Sequence, residues 1–257
     1  MGFWNERDMH IDLLTIFPQL FPPHLESGML AIALKRKIVK IEIYDLRDYA
    51  EDRYRTVDDY PFGGGPGMIM KPGPIFRAIE AITSKSQEDS PLIILLSPQG
   101  ERLDQGLAMK LSKIPWLILL CGRYRGVDQR VRDKLIDREV SIGDYVLTGG
   151  ELPAMVLVDA VIRLLPGVLS HMESAKEDSF YQDLLDYPHY TRPRDFQGVK
   201  VPSVLLSGNH QEISRWRRRK ALEMTWQKRP DLLTTANLTE DDLVYLSQIG
   251  FHSQTGG

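Results

Sequence analysis

Cysteine is nearly absent. Cys121 stands alone among 257 residues. A lone thiol builds neither an internal disulfide framework nor a cysteine-based zinc cluster, which fits a reducing cytoplasm. Long apolar runs are missing too. The longest, Leu92 to Leu96 and Trp116 to Cys121, are strand-sized, far short of the roughly 20 residues that cross a bilayer. No membrane association is expected. There is no excess of positive charge: 32 Lys and Arg stand against 35 Asp and Glu, a net −3. Any contact with a polyanion must therefore come from a local patch. The six histidines show no metal-ligand spacing, so no metal site is expected. Met1 to Asp8 lacks the apolar core of a signal peptide, and Met9 opens a cleaner start. Residues 1–8 are expected to be a disordered extension. There is no internal repeat.

Short apolar strands alternate with helices. Strands are predicted at Ile11 to Phe17, Val39 to Tyr44, Leu92 to Leu96, Trp116 to Cys121 and Arg138 to Ile142. Helices are predicted at Pro22 to Lys37, up to Thr83 after a glycine-rich loop, at Asp104 to Ser112, Val127 to Leu135 and Leu152 to Leu165. Strands that are apolar on both faces and alternate with helices indicate an α/β fold with a covered parallel sheet. The composition then changes. Residues 170–185 are polar and aperiodic and are read as a flexible linker. Beyond them Glu212 to Trp226 and Leu238 to Ile249 look helical, with Thr239 at a helix start. The domains expected are 9–169 and a small helical one at 186–257.

Glycine-rich turns follow three strands, at Ser97 to Gly100, Gly122 to Gly126 and Gly143 to Gly150. In open α/β sheets, ligands bind outside the carboxyl ends of the strands, so three loops converging on one ligand is the natural reading. The richest stretch is Ser141 to Pro153, where three glycines, an aspartate and a proline bracket a short apolar core. Gly63 to Met68 lacks the Gly-Lys-Ser/Thr ending of a phosphate-binding loop. It reads equally as an anion nest or as a tight structural turn.

The charged candidates have bland readings beside the functional ones. Arg215, Arg217, Arg218, Arg219 and Lys220 surround Trp216, with His189, Arg192 and Arg194 upstream. Basic residues interleaved with aromatics suit an RNA loop, though a charge run is more often a solvated helix face, here with Trp216 in the core. Asp178 is an acid on the linker, inert unless the linker closes over a ligand and burial turns it into a base. Arg163 sits on an apolar helix, as a packed surface residue or as a charge aimed at a site. Cys121 borders an apolar strand and reads as core.

Taken together, the motifs resemble one family, the bacterial tRNA (guanine(37)-N1)-methyltransferases of the knotted, S-adenosylmethionine-dependent SPOUT class. The matching stretches are Pro61 to Met68, Leu96 to Gly100, Cys121 to Tyr124, Ser141 to Pro153, Glu177 to Phe180, Pro188 to Pro193 and Val204 to His210 with Ile213 and Arg215 to Arg217. The resemblance spans Met9 to about Leu233. It implies a deep trefoil knot, a cytoplasmic homodimer with active sites shared between subunits, and tRNA with guanine at position 37 as substrate. It implies that S-adenosylmethionine is held by Leu95, Leu96, Ser97, Pro98, Gln99, Gly100, Gly122, Arg123, Ser141, Ile142, Gly143, Asp144, Tyr145, Val146, Leu147, Gly149, Gly150 and Pro153. It gives Asp178 the role of general base and Arg163 that of a charge stabilising O6. The tRNA would be held by His189, Arg192, Arg215, Trp216, Arg217, Arg218, Arg219 and Lys220. One departure matters. The family has Glu after Gly-Arg-Tyr, tied to the cofactor amino group or to magnesium, and this chain has Arg125. A cation without an acceptor serves neither role, which argues against carrying a magnesium site to this position. A phosphate contact is the alternative role for Arg125.

Overall fold

The apolar runs pair into a single sheet. The structure, a computed structural model, describes residues 8–85, 90–169 and 178–251 and divides the chain into two units, Met1–Ser170 and His171–Gly257. In chain order the first unit contains β1 (Met9–Thr15), α1 (Pro22–Leu25), α2 (Gly28–Lys35), β2 (Val39–Asp45), β3 (Asp58–Asp59), β4 (Ile69–Met70) and α3 (Pro72–Thr83). It continues with β5 (Leu92–Arg102), α4 (Gln105–Leu111), β6 (Trp116–Cys121), α5 (Gln129–Leu135), β7 (Arg138–Ser141) and α6 (Glu151–Ile162). Five strands form a parallel sheet in the order β2-β1-β6-β5-β7. A covered parallel sheet was the reading of the alternating pattern.

The sheet is buried on both faces. Ile11, Leu13, Ile94, Leu96, Leu117 and Leu119 pack with residues of α2, α4 and α6. Leu14, Ile93, Leu95, Ile118 and Leu120 pack with residues of α3 and α5 on the other side. The middle strand β6 is buried at every position. Each such Leu or Ile contributes roughly 1.5–3 kcal/mol by leaving water. Side chains start the covering helices: Asp104 accepts from the Leu107 amide at 2.7 Å and Asp128 from the Arg130 amide at 2.9 Å.

Three expectations need correction. The first strand begins at Met9 and ends at Thr15, so Phe17 lies outside it. The single helix predicted over Pro22 to Lys37 is two helices, because Ser27 is extended and Gly28 has φ +57°, a left-handed value that breaks helical continuity. The strand predicted to stop at Leu96 runs on to Arg102. Leu96 and Glu101 both register with Val140 of β7, so residues 97–100 form a bulge inside the strand. Gly100 is required there, since a Cβ would lie 2.3 Å from the Glu139 carbonyl carbon.

The second unit contains β8 (Asp195–Phe196) and β9 (Val199–Lys200), then α7 (His210–Lys228) and α8 (Glu240–Gln248). Asn209 caps α7, accepting from the Gln211 and Glu212 amides. Thr239 and Asp242 cap α8 reciprocally. Leu184, Leu222, Leu233 and Leu246 form the small core, flanked by Trp226 and Tyr245. Residues 170–177 of the expected linker, like most of the 1–8 extension, lie outside the described residues. From Asp178 onward the chain is pinned rather than loose. The Phe180 amide donates to the Leu184 carbonyl at 2.7 Å, and the Leu185 amide donates to Thr225 Oγ1 at 2.9 Å. No helix among the described residues is long and apolar enough to cross a membrane.

Candidate active site

The bulge within β5 and the carboxyl ends of β6 and β7 carry the three glycine-rich segments, and all three line one cleft of about 250 Å³. Every residue proposed from sequence for the cofactor lines it except Gly100 and Asp144. Gly100 instead lets the bulge re-enter the ladder beside Val140. The bulge carries Ser97, Pro98 and Gln99 to the cleft, where Ser97 Oγ accepts from the Gln99 amide at 3.2 Å. The turn after β6 adds Gly122, whose missing Cβ would sit 3.3 Å from the Leu96 carbonyl oxygen. The segment after β7 wraps around Gly143, at φ +143°, with the Ser141 hydroxyl donating to the Gly143 carbonyl at 3.0 Å. Tyr145, Val146 and Leu147 are exposed apolar side chains at its tip.

The walls are fastened by a buried polar net. Glu151 at the start of α6 is 1% exposed. It accepts from Thr15 Oγ1 at 2.8 Å and from Arg123 Nε at 3.0 Å. Its carboxylate also lies in the first turn of the helix, where the dipole favours it. Arg123 further donates to the Thr148 carbonyl at 3.2 Å and stacks over Phe17 at 4.3 Å. The Gly150 amide donates to the Gly122 carbonyl at 2.8 Å, tying the second segment to the third. Across the cleft Arg132 donates to Gln99 Oε1 at 2.7 Å and to Glu139 at 2.8 Å, tying the first segment to α5.

The sequence reading did not single out Glu151 or Arg132. Glu151 sat inside the most conspicuous motif, at a helix start where an acid belongs, so the signal was present. Arg132 becomes visible only when α5 is folded beside the bulge. Tyr124, Arg125, Gly126, Val127, Val140 and Thr148 also line the cleft. Arg125 points its guanidinium at the glycine-rich loop, donating to the Pro66 carbonyl at 2.9 Å. Its stem lies where a Cβ on Gly67 would be, 2.9 Å away. Burial pushes the Cys121 thiol well up, which keeps it protonated and in the core role expected of it.

The two proposed catalytic residues belong to different units. Arg163 is the C-cap of α6, half-buried, its amide donating to the Asp159 carbonyl. Asp178 is half-buried in the second unit and lines a cavity of about 180 Å³ with Tyr187, Ser214, Arg217 and Arg218. The basic residues of α7 are not one uniform face. Arg218 is paired with the buried Asp242 at 2.8 Å and donates to the Asn237 carbonyl. Lys220 is paired with Glu223. Arg217 lies over the Tyr187 ring at 5.1 Å and Arg219 over Tyr245 at 4.8 Å. Trp216 meets Tyr190 at 6.4 Å, and His189 sits 2.7 Å from Asp186. Arg192 and Arg215 are exposed.

A family profile described as tRNA (Guanine-1)-methyltransferase TrmD matches residues 9–235 of this chain. Similar proteins include the tRNA (guanine-N(1)-)-methyltransferase of Moorella thermoacetica, 54% identical over 241 residues, covering 94% of this chain and 96% of that one. The protein of the same name from Dictyoglomus turgidum is 54% identical over 241 residues, with 94% and 96% covered. That from Geobacter sulfurreducens is 53% identical over 234 residues, with 91% and 95% covered.

Proposed function

This chain belongs to the tRNA (guanine-1)-methyltransferase family, and on that premise we propose that it methylates N1 of guanine 37 in the tRNA anticodon loop, with S-adenosyl-L-methionine as donor. The observation that carries the reading is the convergence of three glycine-rich segments, from three adjacent parallel strands, on one cleft. The lining suits an adenosine: backbone brought close at Gly122, Gly149 and Gly150, with Leu95, Leu147 and Pro98 for apolar contact. When bound, the donor supplies a sulfonium-activated methyl group.

The residues of this chain do the rest. Guanine N1 carries a proton and is a poor nucleophile until that proton leaves. Asp178 takes it. Negative charge then grows on O6, where Arg163 stabilises it. The cleft positions the two reactants for in-line transfer, and the base must leave its stack to reach it. His189, Arg192, Arg215, Trp216, Arg217 and Arg219 hold the RNA backbone and loop. Arg218 and Lys220 contribute less to the RNA, because Asp242 and Glu223 already hold them. Arg125 replaces a magnesium or cofactor-amine contact with a clamp on the Gly63–Gly67 loop, so no step is assigned to magnesium.

A trefoil knot belongs to this reading. The close backbone approaches of Gly100 to Glu139 and of Gly150 to Cys121 are compatible with it. A cytoplasmic homodimer with composite sites belongs to the reading as well. Mixing Arg163→Ala and Asp178→Ala subunits tests the composite site. If each site takes one residue from each subunit, random mixing restores about a quarter of the parent rate, whereas sites built within one subunit stay silent. The reaction itself is tested by transfer from labelled S-adenosylmethionine to a tRNA transcript bearing guanine 37. Label on N1, lost in Asp178→Ala while cofactor binding persists, is the expected result. Retained transfer in that variant overturns the assigned base. No transfer by the parent, with tRNA still bound, overturns the reaction.

A further inference from the structure

At the amino-terminal edge of the sheet, away from the strand ends that carry the cleft, three metal-ligating side chains converge. His10 and Asp12 project from the same face of β1, and Glu42 registers beside Asp12 on β2. Their ligand atoms all lie within 4.8 Å of one another. His10 Nε2 is 3.1 Å from Asp12 Oδ1 and 3.2 Å from Glu42 Oε2. Metal–ligand bonds of about 2.0–2.2 Å in a tetrahedron place neighbouring ligand atoms roughly 3.3 Å apart, so these separations already match two edges of one.

Hydrogen bonding among these groups does not satisfy them. The Asp12 side chain is fully buried. Its Oδ2 accepts from Trp116 Nε1 at 2.7 Å, but Oδ1 accepts no hydrogen bond among the described residues. A buried carboxylate oxygen left this way is costly. The oxygen faces His10 Nε2, which sits between the two carboxylates. One ring nitrogen carries at most one proton, so as a donor Nε2 serves only one of the two carboxylates, 3.2 Å away at Glu42 and 3.1 Å away at Asp12. A neutral ring protonated at Nδ1 instead turns a lone pair toward both acids. A cation in the middle serves all three atoms at once.

We propose that His10, Asp12 and Glu42 form a three-ligand site for a divalent transition cation of the zinc class. An imidazole with two carboxylates selects against magnesium and calcium, which take all-oxygen shells. Two carboxylates and a neutral imidazole also leave two negative charges for a dication to balance. The supporting shell is in place. Trp116 fixes Asp12 through Oδ2, and its indole stacks on the His10 ring at 5.7 Å with 5° between planes. Tyr44 reaches Glu42 at 3.4 Å, and Lys85 reaches the Tyr44 hydroxyl. Lys40 holds Glu42 Oε2 at 2.9 Å but is 62% exposed, so it swings away without stranding a buried charge. His10 and Glu42 are partly exposed and open the fourth position to solvent. The ion would staple β2 to β1 beside the first residue of β6. It does not depend on the methyl-transfer reading.

The test is zinc binding to the full chain after chelator treatment, with cobalt(II) absorption as a second readout. One equivalent per chain is expected, with visible cobalt bands of a four-coordinate site and a raised melting temperature. His10→Gln and Glu42→Gln, at partly exposed positions that tolerate the change, should each weaken binding at least tenfold, and Trp116→Phe on the order of 10–100-fold through the lost support. No saturable zinc binding by the parent overturns the proposal. So does undiminished binding by the His10→Gln, Glu42→Gln double variant, which would place the ion elsewhere.

Discussion

Gly150→Ala should open the cleft from within. Gly150 has φ −81° and ψ −5°, a conformation any residue adopts, so backbone strain is not the issue. A methyl group there would lie 2.7 Å from Cys121 Cα, 2.9 Å from the Gly122 nitrogen and 3.1 Å from the Cys121 carbonyl carbon. All three are backbone atoms at the end of the fully buried strand β6, which cannot rotate aside as a side chain would. The Gly143–Gly150 segment must yield, and the Gly150 to Gly122 hydrogen bond of 2.8 Å lengthens or breaks. Overpacking costs about 1–3 kcal/mol and the lost bond about 0.5–1.5 kcal/mol, together on the order of 2–4 kcal/mol. In a unit of this size each kcal/mol lowers the melting temperature by roughly 2–4 °C, so a fall on the order of 4–16 °C is expected. Because about 1.4 kcal/mol is a factor of ten, affinity for S-adenosylmethionine should fall at least tenfold. Calorimetric titration and thermal melting measure the two effects. Gly208→Ala is the control for affinity only: it sits in the other unit with nothing within 4 Å of its Cβ position, yet its φ of +74° strains an alanine, so its melting temperature should fall while its cofactor affinity is unchanged. If Gly150→Ala melts and binds as the parent does, the close approach of the two segments is not what shapes the cleft.

Other outcomes follow from the same contacts. Glu151→Gln keeps the shape but removes the charge facing Arg123, and should cost about 1.5–3 kcal/mol in urea unfolding; an unchanged midpoint would show that the Thr15–Glu151–Arg123 net contributes little. Arg218→Ala leaves the buried Asp242 carboxylate only the Thr239 amide and should cost about 1.5–3 kcal/mol, whereas Arg215→Ala should spare stability and lower the salt slope of tRNA binding by about one; equal effects on stability would contradict the division of the basic helix. Burial pushes the Asp242 carboxyl up, but hydrogen bonds from Arg218 and Thr239 outweigh it, and the net shift is downward from 3.8. Its contribution is therefore complete above pH 3.8 and is lost as pH falls through the lower folded value. Acid unfolding of the parent should be steeper there than that of Asp242→Asn, and identical profiles would refute the pairing.

Much of the sheet was legible because its strands are short apolar runs with few competing readings. Trp116 to Cys121 was read to the residue, since a run buried on both faces carries no ambiguity of period. What failed were boundaries set by backbone conformation rather than by hydrophobicity. Ser27 and Gly28 interrupt a stretch whose side chains still look helical. The Ser97-Pro98-Gln99-Gly100 segment reads as a strand-ending turn, and only pairing with Val140 on both sides reveals that the strand resumes. The three loops of the cleft were legible through glycine clustering, because close backbone approach leaves a compositional trace, whereas its individual lining residues came with the family resemblance. Glu151 lay within that glycine-rich motif, but its pairing with Thr15 and Arg123 did not show there, and Arg132 left no trace at all, since a helix-surface arginine looks ordinary until its partners are in place. The grouping of His10, Asp12 and Glu42 spans two strands, so linear spacing of histidines had no means of showing it.

The bulge in β5 has a consequence for how a ligand comes and goes. Residues 97–100 look like a free loop, yet they are moored at both ends to the same short stretch of β7 and braced by Arg132. They cannot swing out without unzipping the ladder. Gly143 to Leu147 has no such mooring at its tip, where Val146 is 84% exposed. Of the two segments, the bulge is the one held by the ladder and Arg132, and the Gly143–Leu147 tip is the more exposed. Residence time should respond to substitutions at Tyr145 and Val146, while changes in the bulge alter what is recognised rather than how fast it departs.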